Sequence, residues 1–203
     1  TIFVATDQGG NSFNGHLWRS FKTMTGNGMV GDSVMDVDSK DGNTWFATKS
    51  GVTHYFNQEY VSYTSEDGLL SDTTLAIVID ASGEAWVGTN YGVNIIHSDG
   101  QIDTIQTDDG LVNDTVRTIL IDGNGDFWFG TMQGISVYDG SVFTNYTSTD
   151  IGGDEVFSLD MDQNGDIWAG TENTLAKYDM AGDTWNHWAH SYPDNHIISI
   201  EER

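Results

Sequence analysis

Acidic and amide side chains supply most of the residues that could do chemistry. The turns Asp122-Gly123-Asn124-Gly125-Asp126 and Asp162-Gln163-Asn164-Gly165-Asp166 place oxygen donors at alternate positions, a spacing with which a short loop can wrap a calcium ion. Both lack the sixth-position glycine and the distant glutamate of an EF-hand, and Asp80-Ala81-Ser82-Gly83-Glu84 repeats the outline more weakly. Asp122, Asn124, Asp126, Asp162, Asn164 and Asp166 are therefore candidate calcium ligands. The competing reading is a hairpin in which Asp and Asn bond their own backbone and Gly takes positive φ.

A second acidic series, Asp32, Asp72, Asp114, Asp154 and Asp194, recurs once in each loop that leads into a repeat's first strand. Gathered on one face, such carboxylates would bind a cation, hydroxyl groups or a basic partner; singly, each would cap its own turn. Histidines 16, 54, 97, 187, 190 and 196 show no metalloprotease spacing, and without cysteine a zinc site is not expected. Neither a nucleophile elbow, a phosphate-binding loop nor a dinucleotide fingerprint occurs. Carboxylate pairs for glycoside hydrolysis are available in number, but none is recognisable as an acid and base. Trp185, Trp188, His187, His190 and Tyr192 form an aromatic cluster absent from the other repeats, which makes Trp185, Trp188, His190 and Tyr192 candidate ligand contacts.

The elements that must position these residues are repeats. Asn43-Thr44-Trp45-Phe46-Ala47-Thr48, Glu84-Ala85-Trp86-Val87-Gly88-Thr89, Gly125-Asp126-Phe127-Trp128-Phe129-Gly130-Thr131 and Asp166-Ile167-Trp168-Ala169-Gly170-Thr171 are copies of one strand, and Thr1-Ile2-Phe3-Val4-Ala5-Thr6 is a worn fifth. Their threonines stand 42, 41, 42 and 40 residues apart, a period that suits a propeller blade. Each whole repeat reads as four short strands between Gly, Asp and Asn turns, one antiparallel meander. The tryptophans sit mid-strand in apolar surroundings and are expected to fill the wedge between neighbouring sheets.

The two ends complement each other. Residues 197–201 match a first strand, such as Val116 to Leu120, while Thr1 begins with a second strand. The expectation is an all-β chain: a five-bladed β-propeller of four-stranded antiparallel blades, closed by pairing the C-terminal strand 197–201 with the N-terminal strands. The blades span approximately 197–203 plus 1–25, 33–65, 74–107, 115–148 and 155–190, within one domain. Residues Asp7 to Asn11 read as turn material.

These residues resemble the two-component regulator propeller repeat family. The third copy carries the resemblance through Gly110, Leu111, Val116, Ile119, Asp122, Gly125, Phe127, Trp128, Gly130, Thr131, Gly134 and Tyr138-Asp139. The resemblance implies a sensor-type propeller of the kind found in periplasmic regions of bacterial hybrid histidine kinases, several of which respond to polysaccharide fragments; similar repeats occur in secreted lyases.

Thirty-one acidic against seven basic residues give a formal charge of -24, which repels nucleic acid and anionic membrane surfaces. No apolar run is long enough to span a membrane. The expected function is noncatalytic binding or sensing, extracellular or periplasmic, of a carbohydrate or protein ligand, by a module cut from a larger protein. The alternatives are a polysaccharide lyase or hydrolase, and a calcium-dependent adhesive module that forms oligomers.

Overall fold

The computed structural model describes residues 1–23, 28–189, 197 and 199–200. Short alternating runs between tight turns produce nineteen strands among the described residues. The chain forms two compact units, Thr1–Thr104 and Ile105–Arg203. In the first unit, β1 (Ile2–Thr6), β2 (Gly9–Phe13) and β3 (Trp18–Phe21) make a three-stranded sheet. Beside them in sequence come two four-stranded sheets: β4 (Val34–Lys40), β5 (Asn43–Thr48), β6 (Gly51–Phe56) and β7 (Glu59–Tyr63), then β8 (Thr74–Ile79), β9 (Ala85–Thr89), β10 (Gly92–Ile96) and β11 (Ile102–Ile105), whose last residue lies at the boundary. The second unit holds β12 (Val116–Ile121), β13 (Phe127–Thr131), β14 (Gly134–Tyr138) and β15 (Phe143–Tyr146), followed by β16 (Val156–Met161), β17 (Ile167–Thr171), β18 (Thr174–Asp179) and β19 (Thr184–Ala189). Every sheet is an antiparallel meander in chain order.

Burial grades across each sheet. The tryptophan strands β9 and β13 are buried along their whole length, while the fourth strands β11, β15 and β19 are largely exposed. Sheets therefore pack on both faces at their second strand, which is why AWVGT and FWFGT lack the polar alternation of a half-exposed strand. Trp45 packs with Leu69 of the β7–β8 loop and with Ile77 and Val87 of the following sheet, and Trp128 with Ile167, Ala169 and Tyr178. The rings thus fill the wedge between neighbouring sheets, each contributing roughly 1.5–3 kcal/mol by burial.

The repeated threonine closes the hairpin after it. Thr131 Oγ1 donates to the Gly134 carbonyl at 2.9 Å and accepts the Gln133 amide at 3.1 Å. Thr48, Thr89 and Thr171 do the same with Gly51 and Ser50, Gly92 and Tyr91, and Thr174 and Asn173. Thr6 repeats it with Gly9 and Gln8, which shows that Gly9 begins a third strand of the repeat. Gly9 to Asn11 are thus strand residues, although the sequence reads as turn. The position demands glycine because φ is positive and a Cβ would collide with the Phe21 carbonyl oxygen, and that demand outweighs β-propensity.

Each complete first strand carries a β-bulge at its second residue, the unpaired positions being Met35, Leu75, Arg117 and Phe157. Asp36 and Asp38 of β4 accept the amides of Ile77 and Ile79 at 2.9 and 2.7 Å, so side chains satisfy part of the open edge of β8. In the second unit Ile197 stands to β16–β19 as Val156 stands to β12–β15: a Cβ added at Gly170 would meet Ile197, and one at Gly130 would meet Val156. The Ile197 amide donates to Thr171 O at 3.2 Å and its carbonyl accepts from Ser158 Oγ at 3.2 Å. Two helical turns, Thr107–Asp109 and α1 (Ser148–Ile151), sit in loops before first strands; neither is long enough to have helical periodicity.

Candidate functional site

The loops preceding the first strands hold their aspartates by local hydrogen bonding. Asp32 accepts the Thr23 amide at 2.7 Å and the Thr23 hydroxyl at 2.8 Å, and these bonds lower its pKa. Asp72 takes the Ser65 amide and Asp114 the Thr107 amide, each at 2.7 Å. All three tie the end of one sheet's last strand to the loop entering the next sheet. Asp194 lies outside the described residues.

The fourth loop is built differently. There α1 replaces the simple turn, capped by Thr147 and Asp150, and Glu172 receives the Asp154 amide at 2.9 Å and the Glu155 amide at 2.8 Å. Among the described residues the Asp154 carboxylate accepts no loop amide of the kind its relatives staple. Beside it, the bulge residues of β12 and β16 meet: the Arg117 guanidinium lies 4.7 Å from the Phe157 ring centroid and donates to Glu155 Oε2 at 3.2 Å. Arg117 Nε is buried without a hydrogen-bond acceptor among the described residues. Sequence reasoning missed Arg117, Glu155, Phe157 and Glu172. The available clue was Arg117 itself, a cation where the other copies carry Met35, Leu75 and Phe157.

The aromatic candidates separate. Trp185 packs among Tyr178, Tyr146 and Trp128, at centroid distances of 5.2, 5.5 and 6.2 Å. Trp188 is 52% exposed and stacks against Trp168 at 5.9 Å. In the same cluster the Tyr178 hydroxyl donates to Asp183, and burial, followed by that bond, pushes the Tyr178 pKa up. His187 Nδ1 lies 3.2 Å from the Asp150 carbonyl. His190 and Tyr192 lie outside the described residues.

At the opposite ends of the strands, the candidate calcium turns form side-chain clamps. Asp122 Oδ1 accepts the amides of Asn124 and Asp126 at 2.8 and 3.0 Å, and its Oδ2 accepts the Trp128 indole N–H at 3.0 Å. Asp162 repeats this with Asn164, Asp166 and Trp168 and gains the Lys177 ammonium at 3.2 Å. Burial opposes ionisation of Asp162, but the Trp168, Asp166, Lys177 and Asn164 donors outweigh it, and its pKa is lowered to about 2. Asp126, without a cation beside it, has its pKa raised by burial and by Asp122 and Asp139. Asn124, Asn164 and Asp166 line one cavity; among the described residues no three His, Asp or Glu groups converge in a metal-holding arrangement.

Residues 110–133 match the model of the two component regulator propeller family. No curated protein matches the sequence. Among solved structures, the chain is similar to the extracellular domain of a hybrid two component system, BT3049 of B. thetaiotaomicron: 20% identity and TM-score 0.79, over 93% of this chain and 27% of that one. The extracellular domain of a one component system from the same organism, BT4673, is similar at 14% identity and TM-score 0.77, over 95% of this chain and 30% of that one. A catalytically inactive virginiamycin B lyase from Staphylococcus aureus, solved with quinupristin, is similar at 15% identity and TM-score 0.72, over 93% of this chain and 65% of that one. This chain spans less than a third of the two sensor structures. At these identities the likeness is one of fold: an all-β chain of propeller repeats.

Proposed function

We propose that this chain, built of two-component regulator propeller repeats, is a noncatalytic sensing module of an extracellular or periplasmic protein that recognises a carbohydrate or protein ligand. One observation carries the reading: at the start of β16, where the copies differ, Arg117, Glu155 and Phe157 come together next in sequence to Asp154, whose carboxylate does not take the stapling role of Asp32, Asp72 and Asp114. A guanidinium over an aromatic ring beside carboxylates offers planar stacking surface with directional donors and acceptors. Asp32, Asp72 and Asp114 hold equivalent places in their own loops, and Trp188 offers a second exposed ring. The similar extracellular domains of sensor systems support the setting, and no helix among the described residues is long and apolar enough to cross a membrane. The reading includes closure into five blades, with residues 197–201 as the missing first strand of the β1–β3 sheet; the place of Ile197 beside β16 and β17 supports it.

Glycan and protein arrays, followed by calorimetry on each binder, test the proposal. Arg117→Ala is expected to weaken binding at least about tenfold, the cost of losing charge-assisted hydrogen bonds, while leaving the circular dichroism spectrum unchanged. Unchanged affinity would remove this site from recognition. Mass spectrometry after prolonged incubation should return the ligand intact; cleavage products would make the module an enzyme. A chelator arm separates the calcium-dependent assembly alternative, in which multimers would dissolve.

A further inference from the structure

Three hairpin turns of the second unit border an open pocket of about 510 Å³, a volume in the range of small-molecule sites. Asn124 comes from the β12–β13 turn, Asn164, Gly165 and Asp166 from the β16–β17 turn, and Asp179 and Met180 from the end of β18 and the turn after it. In the first unit the corresponding pair of turns is bridged: Lys40 Nζ reaches across to the Asp80 carbonyl at 2.7 Å. Asp122 holds the place of Lys40 in the third repeat, but its carboxylate turns inward onto Trp128, leaving the space beside it open.

The uncommitted groups select a ligand class. The carboxamides of Asn124 and Asn164 are exposed and have no hydrogen-bond partner among the described residues, and each offers donors and an acceptor. Asp166 is occupied on both oxygens, by the Met180 amide at 3.0 Å and by Lys177 at 2.7 Å. Asp179 Oδ1 takes the amides of Ala181 and Gly182, both at 3.0 Å, so only its Oδ2 remains as an acceptor. An anion would meet two carboxylates here. A divalent cation would find a single uncommitted carboxylate oxygen, because the Lys177 ammonium already occupies one oxygen each of Asp162 and Asp166, and no three His, Asp or Glu groups converge among the described residues. Neighbouring hydroxyl groups, each both donor and acceptor, match the two carboxamides and the free oxygen, and Met180 with Ala181 forms an apolar wall for C–H surface.

We propose that this cavity is a subsite for a neutral, polyhydroxylated ligand, a short uncharged oligosaccharide. The inference rests on the sensing reading, since it takes carbohydrate as the recognised class, and adds a contact at the hairpin ends remote from Arg117 in each strand. Titrating ¹⁵N-labelled protein with cellotetraose, xylotetraose, mannotetraose and laminaritetraose tests it. At least one of them should shift both Asn side-chain amide signals. The N124A/N164A double variant should bind that sugar about tenfold or more weakly at unchanged melting temperature, as expected for two lost hydrogen-bonding groups. EDTA should leave affinity unchanged, and Arg117→Ala should retain the shifts at the two asparagines. If no neutral tetrasaccharide moves those signals, or if binding needs calcium, the inference is overturned. A sugar that binds the double variant fully but fails with Arg117→Ala also overturns it, and leaves the sensing reading standing. Retained shifts in Arg117→Ala with undiminished affinity would keep the cavity and remove Arg117 from recognition.

Discussion

His97 is held between two carboxylates, its Nδ1 2.7 Å from Glu84 Oε1 and its Nε2 3.0 Å from Asp103 Oδ2. The bond to Glu84, then that to Asp103, raises the histidine pKa above its ordinary 6.5. A folded-state pKa above the unfolded value means the contribution is fully present below about pH 6.5 and is lost as pH rises through the folded value. His97→Gln should therefore lower the melting temperature at pH 5.5 and leave it nearly unchanged at pH 9; equal losses at both would show that the ring acts by packing alone. The effect is small because the clamp is close to solvent. Asp122 and Asp162 illustrate the limit of reading single residues. Their alternate oxygens fit a cation in sequence, yet in the fold the same oxygens take turn amides and an indole N–H. Which of these a carboxylate meets depends on its rotamer and on a ring six residues away.

At the scale of elements, the hairpin between second and third strands is set by backbone geometry. Gly134 has φ +123°, and a Cβ there would collide with the Tyr146 carbonyl oxygen of the fourth strand. Gly134→Ala should cost at least about 2 kcal/mol in denaturant unfolding, combining the wrong φ with a backbone clash. Gly125→Ala is the control: its φ is +94°, but nothing lies within 4 Å, so the cost should stay near about 1 kcal/mol. Equal losses would place the whole cost in conformational preference. Strands such as Phe127–Thr131 were legible because a short apolar run bounded by turn residues and recurring at a regular spacing is written directly in residue order. β2 was not legible, because glycines required by a close backbone approach look like a turn. Arg117 and Glu155 stand 38 residues apart, and only the packing of one first strand against the next brings them to 3.2 Å.

For the whole molecule, the formal charge of -24 sets solubility and partner choice rather than fold. Closure belongs to this scale too. If residues 197–201 complete the β1–β3 sheet, deleting residues 197–203 should remove most of the cooperative stability, because the β1 edge and the Gly170 surface both lose a partner. A melting curve close to that of the intact chain would sink the closed ring.

The order of residues alone determined an all-β repeat chain, since hydrophobic alternation, the 40-to-42-residue period and the Trp-x-Gly/Ala-Thr strand are local or periodic properties of a polymer. Only the tertiary structure decided which copies of each position are scaffold and which are released from it. Asp32, Asp72 and Asp114 staple loops, while Asp154 accepts no such amide among the described residues and its own backbone N–H goes to Glu172. The staples span seven to nine residues of loop, whereas the Glu172 bonds reach 17 and 18 residues, from the end of β17 to the start of β16, and form only once those two strands have paired.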